Sequence, residues 1–86
     1  MKVLVPDALR AYTQGQARVE ANGACLDDLL HDLDEQFPGM RFRMVDEQDT
    51  IRPNIVVFVA GERTHDLRQT LQGCREVVIL QALAGG

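Results

Sequence analysis

The clearest periodic pattern in this sequence is a single apolar stripe at helical spacing. Apolar side chains recur at intervals of three and four residues, in the order Leu26, Leu29, Leu30, Leu33 and Phe37. This spacing predicts one amphipathic helix over residues 25–37, which Pro38-Gly39 would end. A helix with one apolar stripe must bury that stripe against another layer of the fold. The rest of the sequence must therefore supply a surface that covers it.

Short β-branched and aliphatic runs lie on both sides of this helix. Residues 2–5 and 18–20 precede it and predict a strand hairpin. Residues 55–59 form the most apolar run and predict a central strand. A short return strand at residues 63–64 and a last strand at residues 77–80 complete the set. One sheet folded over one helix accounts for every apolar run.

The predicted fold is therefore an α+β fold with a mixed sheet of four to five strands packed on one main helix. The order β-β-α-β-(β)-β places strands at both ends of the chain, and the crossover rule makes the first and last strands parallel neighbours at the sheet centre. Residues 40–53 are of mixed character, with an exposed acidic loop at 46–49, and residues 66–73 form a loop or a single helical turn. We expect a domain over residues 1–82 and a flexible tail over residues 83–86.

Composition restricts the partners that the chain can bind. The net charge is −4 and the sequence pI is near 4.9, which argues against nucleic acid and anionic membranes as partners, because clustered Lys and Arg grip both. A basic protein surface is the expected partner. No apolar run approaches the roughly 18 residues that cross a bilayer, and the N-terminus lacks a signal-peptide pattern, so we expect a cytoplasmic protein.

The cysteine, histidine and acidic residues match no metal or cluster pattern. Cys25 and Cys74 are too few for a disulfide framework and do not combine with the two histidines, His31 and His65, at zinc-ligand spacing. An iron–sulfur cluster would need four cysteines. The acidic loop lacks the glycine and distal Glu of a calcium loop. No nucleophile–base set or phosphate loop is present in the sequence, so we expect no bound cofactor, no metal and no self-contained enzyme.

The C-terminal residues follow directly on the last predicted strand. Leu83 and Ala84 are small or modest in size, and Gly85 and Gly86 have no side chain. Such an end can extend without restriction on φ and enter a channel that any Cβ would block. The free carboxylate of Gly86 is ionised at neutral pH and can attack an activated phosphate. Gly86 is therefore the candidate reacting residue, and Gly85 its unobstructed neighbour.

The whole pattern resembles the ubiquitin-like, β-grasp sulfur carriers of the MoaD/ThiS family, and it is closer to the MoaD-like branch. The resemblance covers nearly the whole chain and lies in four segments taken in order: residues 1–5, the helix with Phe37-Pro38-Gly39, residues 51–62, and residues 76–80 followed by Ala84-Gly85-Gly86. Three features depart from the family pattern. Cys25 stands in place of the usual helix-capping Thr, and Ala60 in place of the usual Asn before the turn glycine. Gln81 and Ala82 stand where the family tail usually has one or two prolines.

The resemblance implies that the protein is a carrier and not an enzyme in its own right. A ubiquitin-activating-type adenylyltransferase would use ATP to adenylate the Gly86 carboxylate, and sulfur from a persulfide enzyme would convert it to a thiocarboxylate. An acceptor synthase would then use that sulfur in a cofactor or metabolite pathway of the molybdopterin or cysteine type. The chain could also be the small subunit of such a synthase complex.

Strand alternation predicts which apolar residues face a partner. Val77 and Ile79 would point into the core, whereas Val78 and Leu80 would point outward beside Leu4 and Phe58. These outward residues, together with Leu83 and Ala84 of the tail, are the candidate docking surface for the activating enzyme. The alternative is an ordinary exposed set of aliphatic side chains or a second small core.

A second class of function stays open at this point. A ubiquitin-like protein modifier, conjugated to lysine through Gly86, would need the same diglycine end. A ubiquitin-like binding module would not use the tail chemically at all. The product separates the classes, because a thiocarboxylate indicates sulfur transfer and a lysine conjugate indicates modification.

Overall fold

The computed structural model describes residues 1–82, and the predicted tail over residues 83–86, with Leu83, Ala84, Gly85 and Gly86, lies outside the described residues. Seven elements and one 3-10 turn follow along the described chain. They are β1 (Lys2–Leu4), the 3-10 turn (Asp7–Leu9), β2 (Arg18–Glu20), α1 (Leu26–Gln36), α2 (Met40–Met44), β3 (Ile55–Val59), β4 (Glu62–Thr64) and β5 (Glu76–Gln81).

The described strands form one five-stranded mixed sheet in the order β2-β1-β5-β3-β4. β1 and β5 pair in parallel, with Val3 opposite Val77, while the other neighbouring strands pair antiparallel. The prediction that the first and last strands are parallel neighbours at the sheet centre is confirmed. β3, the predicted central strand, is an interior strand between β5 and β4. The last strand before the C-terminus is thus the middle strand of the sheet.

The core lies between one face of this sheet and α1. The four leucines of the predicted stripe are fully buried, and so are the inward residues of the three interior strands: Leu26, Leu29, Leu30, Leu33, Val3, Val57, Val77 and Ile79. β3 alternates between buried and half-buried positions over its whole length. The predicted alternation is confirmed. Its physical cause is that successive strand side chains point to opposite faces, so one face of the sheet can be wholly apolar.

The N-terminus of α1 is capped by backbone groups from a distant loop. Cys25 is the N-cap residue and makes no side-chain capping hydrogen bond. The Leu26 N–H donates instead to the Gln69 carbonyl at 2.9 Å, and the Asp27 N–H donates to the Leu67 carbonyl at 2.9 Å. Two of the four N–H groups that a helix start leaves without intrahelical partners are satisfied in this way. The weak cap predicted from the sequence is thereby compensated by tertiary structure.

The segment after α1 contains a helix that the sequence analysis did not predict. Residues 40–44 form the short helix α2, whose Met40 and Met44 are fully buried against the core. Gly39 precedes it with φ of 92°, a left-handed conformation that glycine adopts without a Cβ penalty. Five residues are too few to show helical periodicity, so the sequence alone gives no signal for this element.

The β3–β4 hairpin closes with a tight two-residue turn, as predicted for this position. Ala60 and Gly61 both have positive φ, 52° and 83°, and positive φ at both loop residues is the geometry of the type I′ turn that suits the twist of hairpin strands. Ala60 holds this conformation less readily than the Asn that is usual in the family would.

Candidate functional site

The chain is held in the sheet up to its last described residue. Gln81 lies opposite Ile55 in the β5–β3 register, and the Ala82 N–H donates to the Asn54 carbonyl at 2.8 Å. We call Gln81 and Ala82 the tail base. Because backbone pairing with β3 and Asn54 fixes the tail base at the end of the middle strand β5, whatever binds residues 83–86 must approach the body at this point.

The open face of the sheet carries the predicted apolar surface next to the tail base. The strand registers pair Leu4 with Val78 and Val78 with Phe58, so these three side chains form one row across β1, β5 and β3. Leu80 lies two residues further along β5 and is 46% exposed, whereas the three residues of the row are half-buried. We call these four residues the sheet-face patch. The predicted outward orientation of all four is confirmed, and their role in docking stays a prediction.

A second feature, on the other side of the tail base, was not found by sequence reasoning. A groove of about 380 Å³ lies there, lined by Ala8, Leu9, Phe42, Arg43, Arg52, Asn54 and Gln81. We call it the tail-base groove. Four separate segments build it: the 3-10 turn after β1, the helix α2, the approach to β3, and the end of β5. In the sequence, residues 41–43 read Arg-Phe-Arg, but this run does not by itself predict a binding site. The site becomes visible when the fold brings Arg52 beside Phe42 and Arg43.

Two arginines of the tail-base groove stack on aromatic rings. The Arg52 guanidinium carbon lies 4.7 Å from the Phe42 ring centroid, and Arg52 Nε donates to the Phe42 carbonyl at 2.8 Å. The Arg43 guanidinium carbon lies 5.7 Å from the Tyr12 ring centroid. Both distances are within the range of cation–π attraction. Phe42 itself is 50% exposed, so this part of the groove presents an exposed aromatic ring beside the Arg52 guanidinium.

Arg41, by contrast, turns toward the acidic side of α1. Its Nη2 donates to Asp27 Oδ1 at 2.7 Å and lies 3.4 Å from Asp49 Oδ1. Burial alone would lower the pKa of Arg41, but the hydrogen bonds and charges of Asp27 and Asp49 outweigh burial and raise its pKa above the usual value. Arg41 therefore stays charged and ties α1, α2 and the acidic loop together.

Other acidic residues of the helix also bind within the domain. Asp32 Oδ2 accepts the Asn22 N–H at 2.9 Å, and Asp34 Oδ1 accepts the N–H groups of Gly39 and Arg41, both at 3.1 Å. Both carboxylates belong to the acidic face of α1, which carries Asp27, Asp28, Asp32, Asp34 and Glu35. These contacts show that part of it fixes the segments on either side of α1.

The thiols and metal-binding residue types do not gather into a site within residues 1–82. Cys25 and Cys74 are free and half-buried, and the Cys74 thiol donates to the Glu76 carbonyl at 3.1 Å. Among the described residues, no group of three or more His, Cys, Asp or Glu side chains could hold a metal ion. No helix in the same part of the chain is long and apolar enough to cross a membrane.

Together, a mixed five-stranded sheet and one main helix packed on it define a small protein with the ubiquitin-like β-grasp fold. A model of the ThiS family matches residues 3–86. The chain belongs to the ThiS family, and it is a sulfur carrier in the general sense of that family. Small carriers of this type are generally not catalysts themselves.

Solved structures agree with this assignment. The crystal structure of Mycobacterium tuberculosis CysO, an antigen, is 26% identical in sequence, with a TM-score of 0.88 over 95% of this chain and 98% of that chain. A chain in the crystal structure of the Amycolatopsis orientalis BexX/CysO complex is 31% identical, with a TM-score of 0.87 over 99% of this chain and 98% of that chain.

A more distant likeness extends the fold beyond these proteins. The solution structure of small archaeal modifier protein 1 from Methanosarcina acetivorans is 21% identical, with a TM-score of 0.79 over 99% of this chain and 94% of that chain. At this level of identity the likeness shows the fold alone. No curated protein sequence gives a significant match to this chain.

Proposed function

We propose that the C-terminal carboxylate of Gly86 is adenylated by an ATP-dependent activating enzyme and then converted to a thiocarboxylate that donates sulfur. The observation that carries the proposal is that the ThiS family match extends to residue 86, so the diglycine is part of the family pattern. The tail base supports it, because the middle strand β5 leads directly into residues 83–86 and so connects them to the folded body.

Each chemical step uses the terminal carboxylate directly. A carboxylate oxygen of Gly86 attacks the α-phosphorus of ATP and pyrophosphate leaves, which gives an acyl adenylate. The outer sulfur of a persulfide donor then attacks the carbonyl carbon, and AMP leaves, which gives an acyl disulfide. A thiol then attacks the donor's sulfur of that S–S bond, forms a disulfide with the donor and releases the Gly86 thiocarboxylate. Activation is needed because the carboxylate alone offers no leaving group. The protein contributes the carboxylate and the docking surface, while the activating enzyme binds ATP.

Chain geometry limits where the activating enzyme can bind. Ala82 is the last residue held by the sheet, and a fully extended chain spans at most about 3.3–3.6 Å per residue. Four residues therefore reach roughly 14 Å from the tail base at most. The adenylating site must lie within that distance, so the enzyme surface must contact residues immediately around the tail base.

The sheet-face patch meets this requirement. Leu80 precedes the tail base by one residue and is about half exposed, and the row of Leu4, Val78 and Phe58 lies next to it. A cluster of apolar side chains at the centre of an interface contributes most when a partner removes it from water. We propose that this patch, extended by Leu83 and Ala84, docks the activating enzyme.

The partners and pathway follow from the same chemistry. We propose three partner proteins: a ubiquitin-activating-type adenylyltransferase, a persulfide-bearing sulfur donor, and an acceptor synthase that consumes the thiocarboxylate. The pathway would be of the molybdopterin or cysteine type, with the chain as a sulfur-carrying co-substrate or as the small subunit of the synthase.

The alternative is a protein modifier that is conjugated to lysine through Gly86. It needs the same diglycine and the same adenylation, so the product must decide between the two. Incubation with ATP, sulfide and the activating enzyme of the same organism should produce a Gly86 thiocarboxylate, detected by mass spectrometry. A chain that lacks Gly86 is the control and should remain unchanged. A conjugate to a lysine side chain, without a thiocarboxylate, would favour the modifier.

A further inference from the structure

The tail-base groove carries positive charge on a protein that is acidic overall. Arg43 and Arg52 line it, and none of its lining residues is acidic. Within residues 1–82, neither arginine lies within 4.0 Å of a carboxylate oxygen. The net charge of the chain is −4. The groove is therefore a local cationic surface that the domain does not neutralise.

The groove is also arranged before any partner binds. The Arg52 guanidinium is held by its stacking on Phe42 and by the hydrogen bond from Nε to the Phe42 carbonyl. An arginine that is already fixed loses less conformational entropy when a carboxylate pairs with it. Arginine and exposed aromatic rings are the residue types that protein interfaces concentrate. These properties favour a protein partner with carboxylate side chains over a polyanion, which the net charge of −4 would repel.

The position of the groove indicates which protein would supply these carboxylate side chains. It shares Ala8 and Gln81 with a second groove on the side of the sheet-face patch, which Leu80 and Ala82 also line. The two grooves thus flank the tail base. Since the adenylating site must lie within about 14 Å of the tail base, an enzyme bound to the C-terminus contacts this region.

We propose that the tail-base groove docks an acidic segment of the activating enzyme, whose carboxylates pair with Arg43 and Arg52 while an apolar side chain of that segment covers Phe42. This inference rests on the proposed function and adds to it a second contact surface of opposite chemistry. The sheet-face patch supplies apolar area, and the groove supplies charge complementarity, which raises the association rate and fixes the orientation of the tail.

Charge reversal tests the inference. The variants are Arg43→Glu, Arg52→Glu and the double variant, and the matched control is Arg68→Glu, an exposed arginine in the loop at the N-terminus of α1, outside the groove. The readout is ATP–pyrophosphate exchange by the activating enzyme of the same organism, as a function of carrier and salt concentration.

The double variant should raise KM for the carrier by about tenfold or more, because like charges would then face each other across the interface. The kcat should change far less, since Gly86 is intact. The salt dependence of KM should also flatten relative to the wild type, because the attraction that salt screens has been removed. The Arg68→Glu control, which has the same charge change as one single variant, should stay within about twofold of wild type.

Three results would overturn the inference. An unchanged KM in the double variant would show that the groove does not contact the enzyme, while wild-type exchange would leave the proposed function intact. An equal loss in Arg68→Glu would show that only net charge matters. If the wild type supported no exchange, the proposed function itself would fail, and this inference with it. Arg43→Glu decides if the double variant unfolds, since Arg43 is exposed.

Discussion

Leu80 and Ile79 are adjacent residues of β5 that should respond oppositely to substitution. Leu80 is 46% exposed on the open face, whereas Ile79 is 1% exposed and faces α1. Full burial of a leucine side chain is worth about 1.5–3 kcal/mol. Since Leu80 is about half buried, Leu80→Asp should lower the free energy of unfolding by about 1 kcal/mol. This corresponds to a fall in Tm of roughly 4–8 °C for a domain of this size.

Ile79→Ala leaves a cavity in the core and should cost about 2–5 kcal/mol. The Tm of this variant should fall by at least about 10 °C, although the sheet-face patch is unchanged in it. The two variants can be compared by thermal unfolding followed by circular dichroism, and then by charging with the activating enzyme at a temperature at which both are folded.

We expect Leu80→Asp to remain folded and to lose charging efficiency, with KM raised by about 30-fold, as for removal of an interface residue worth 2 kcal/mol. Ile79→Ala, once folded, should be charged nearly as well as wild type. Two outcomes would refute the reasoning. A Leu80→Asp variant as unstable as Ile79→Ala would show that the face assignment of β5 is wrong, and a stable Leu80→Asp variant with normal charging would show that the sheet-face patch does not dock the enzyme.

Three further predictions concern the tail and the body. Deletion of Gly86, or Gly85→Leu, should abolish charging and leave the Tm unchanged, and retained thiocarboxylate formation would contradict the assignment of the reacting group. Arg41→Gln should lower the free energy of unfolding by about 1–2 kcal/mol in urea titrations, because two carboxylates lose their shared partner; no change in stability would mean that these contacts contribute nothing. Gly23→Ala should cost about 2–3 kcal/mol of folding stability by overpacking, since a Cβ at this position would lie 2.4 Å from a backbone nitrogen of α1. Gly61→Ala, which has positive φ but open space around it, should cost about 1 kcal/mol, and equal melting temperatures for the two glycine variants would refute the packing argument.

Much of the fold could be predicted because its signals are local. The leucine stripe of α1 and the alternation of β5 repeat within a few residues, so periodicity alone identifies the buried face of each. The parallel pairing of β1 with β5 followed from one general rule about connections. Strand alternation therefore predicts from the sequence alone that the four residues of the sheet-face patch point outward.

The missed features depend on contacts between distant segments. α2 is a helix because Met40 and Met44 reach the core, and its five residues are too short to form a stable helix on their own. The cap of α1 comes from the backbone carbonyls of Leu67 and Gln69, which are 40 and 43 residues away in sequence from the N–H groups that they accept. The tail-base groove needs residues 8, 42, 52 and 81 together, and no spacing rule brings them side by side.

Intact-mass spectrometry of the protein recovered from its native host shows directly whether Gly86 carries sulfur. Replacement of one terminal oxygen by sulfur adds about 16 Da, the expected consequence of sulfur attack on an activated carboxylate. We expect a population of the protein that is heavier by this mass, with the added mass mapped to Gly86 by fragmentation. A single unmodified mass that persists after incubation with ATP, the activating enzyme and sulfide would contradict the carrier chemistry proposed here.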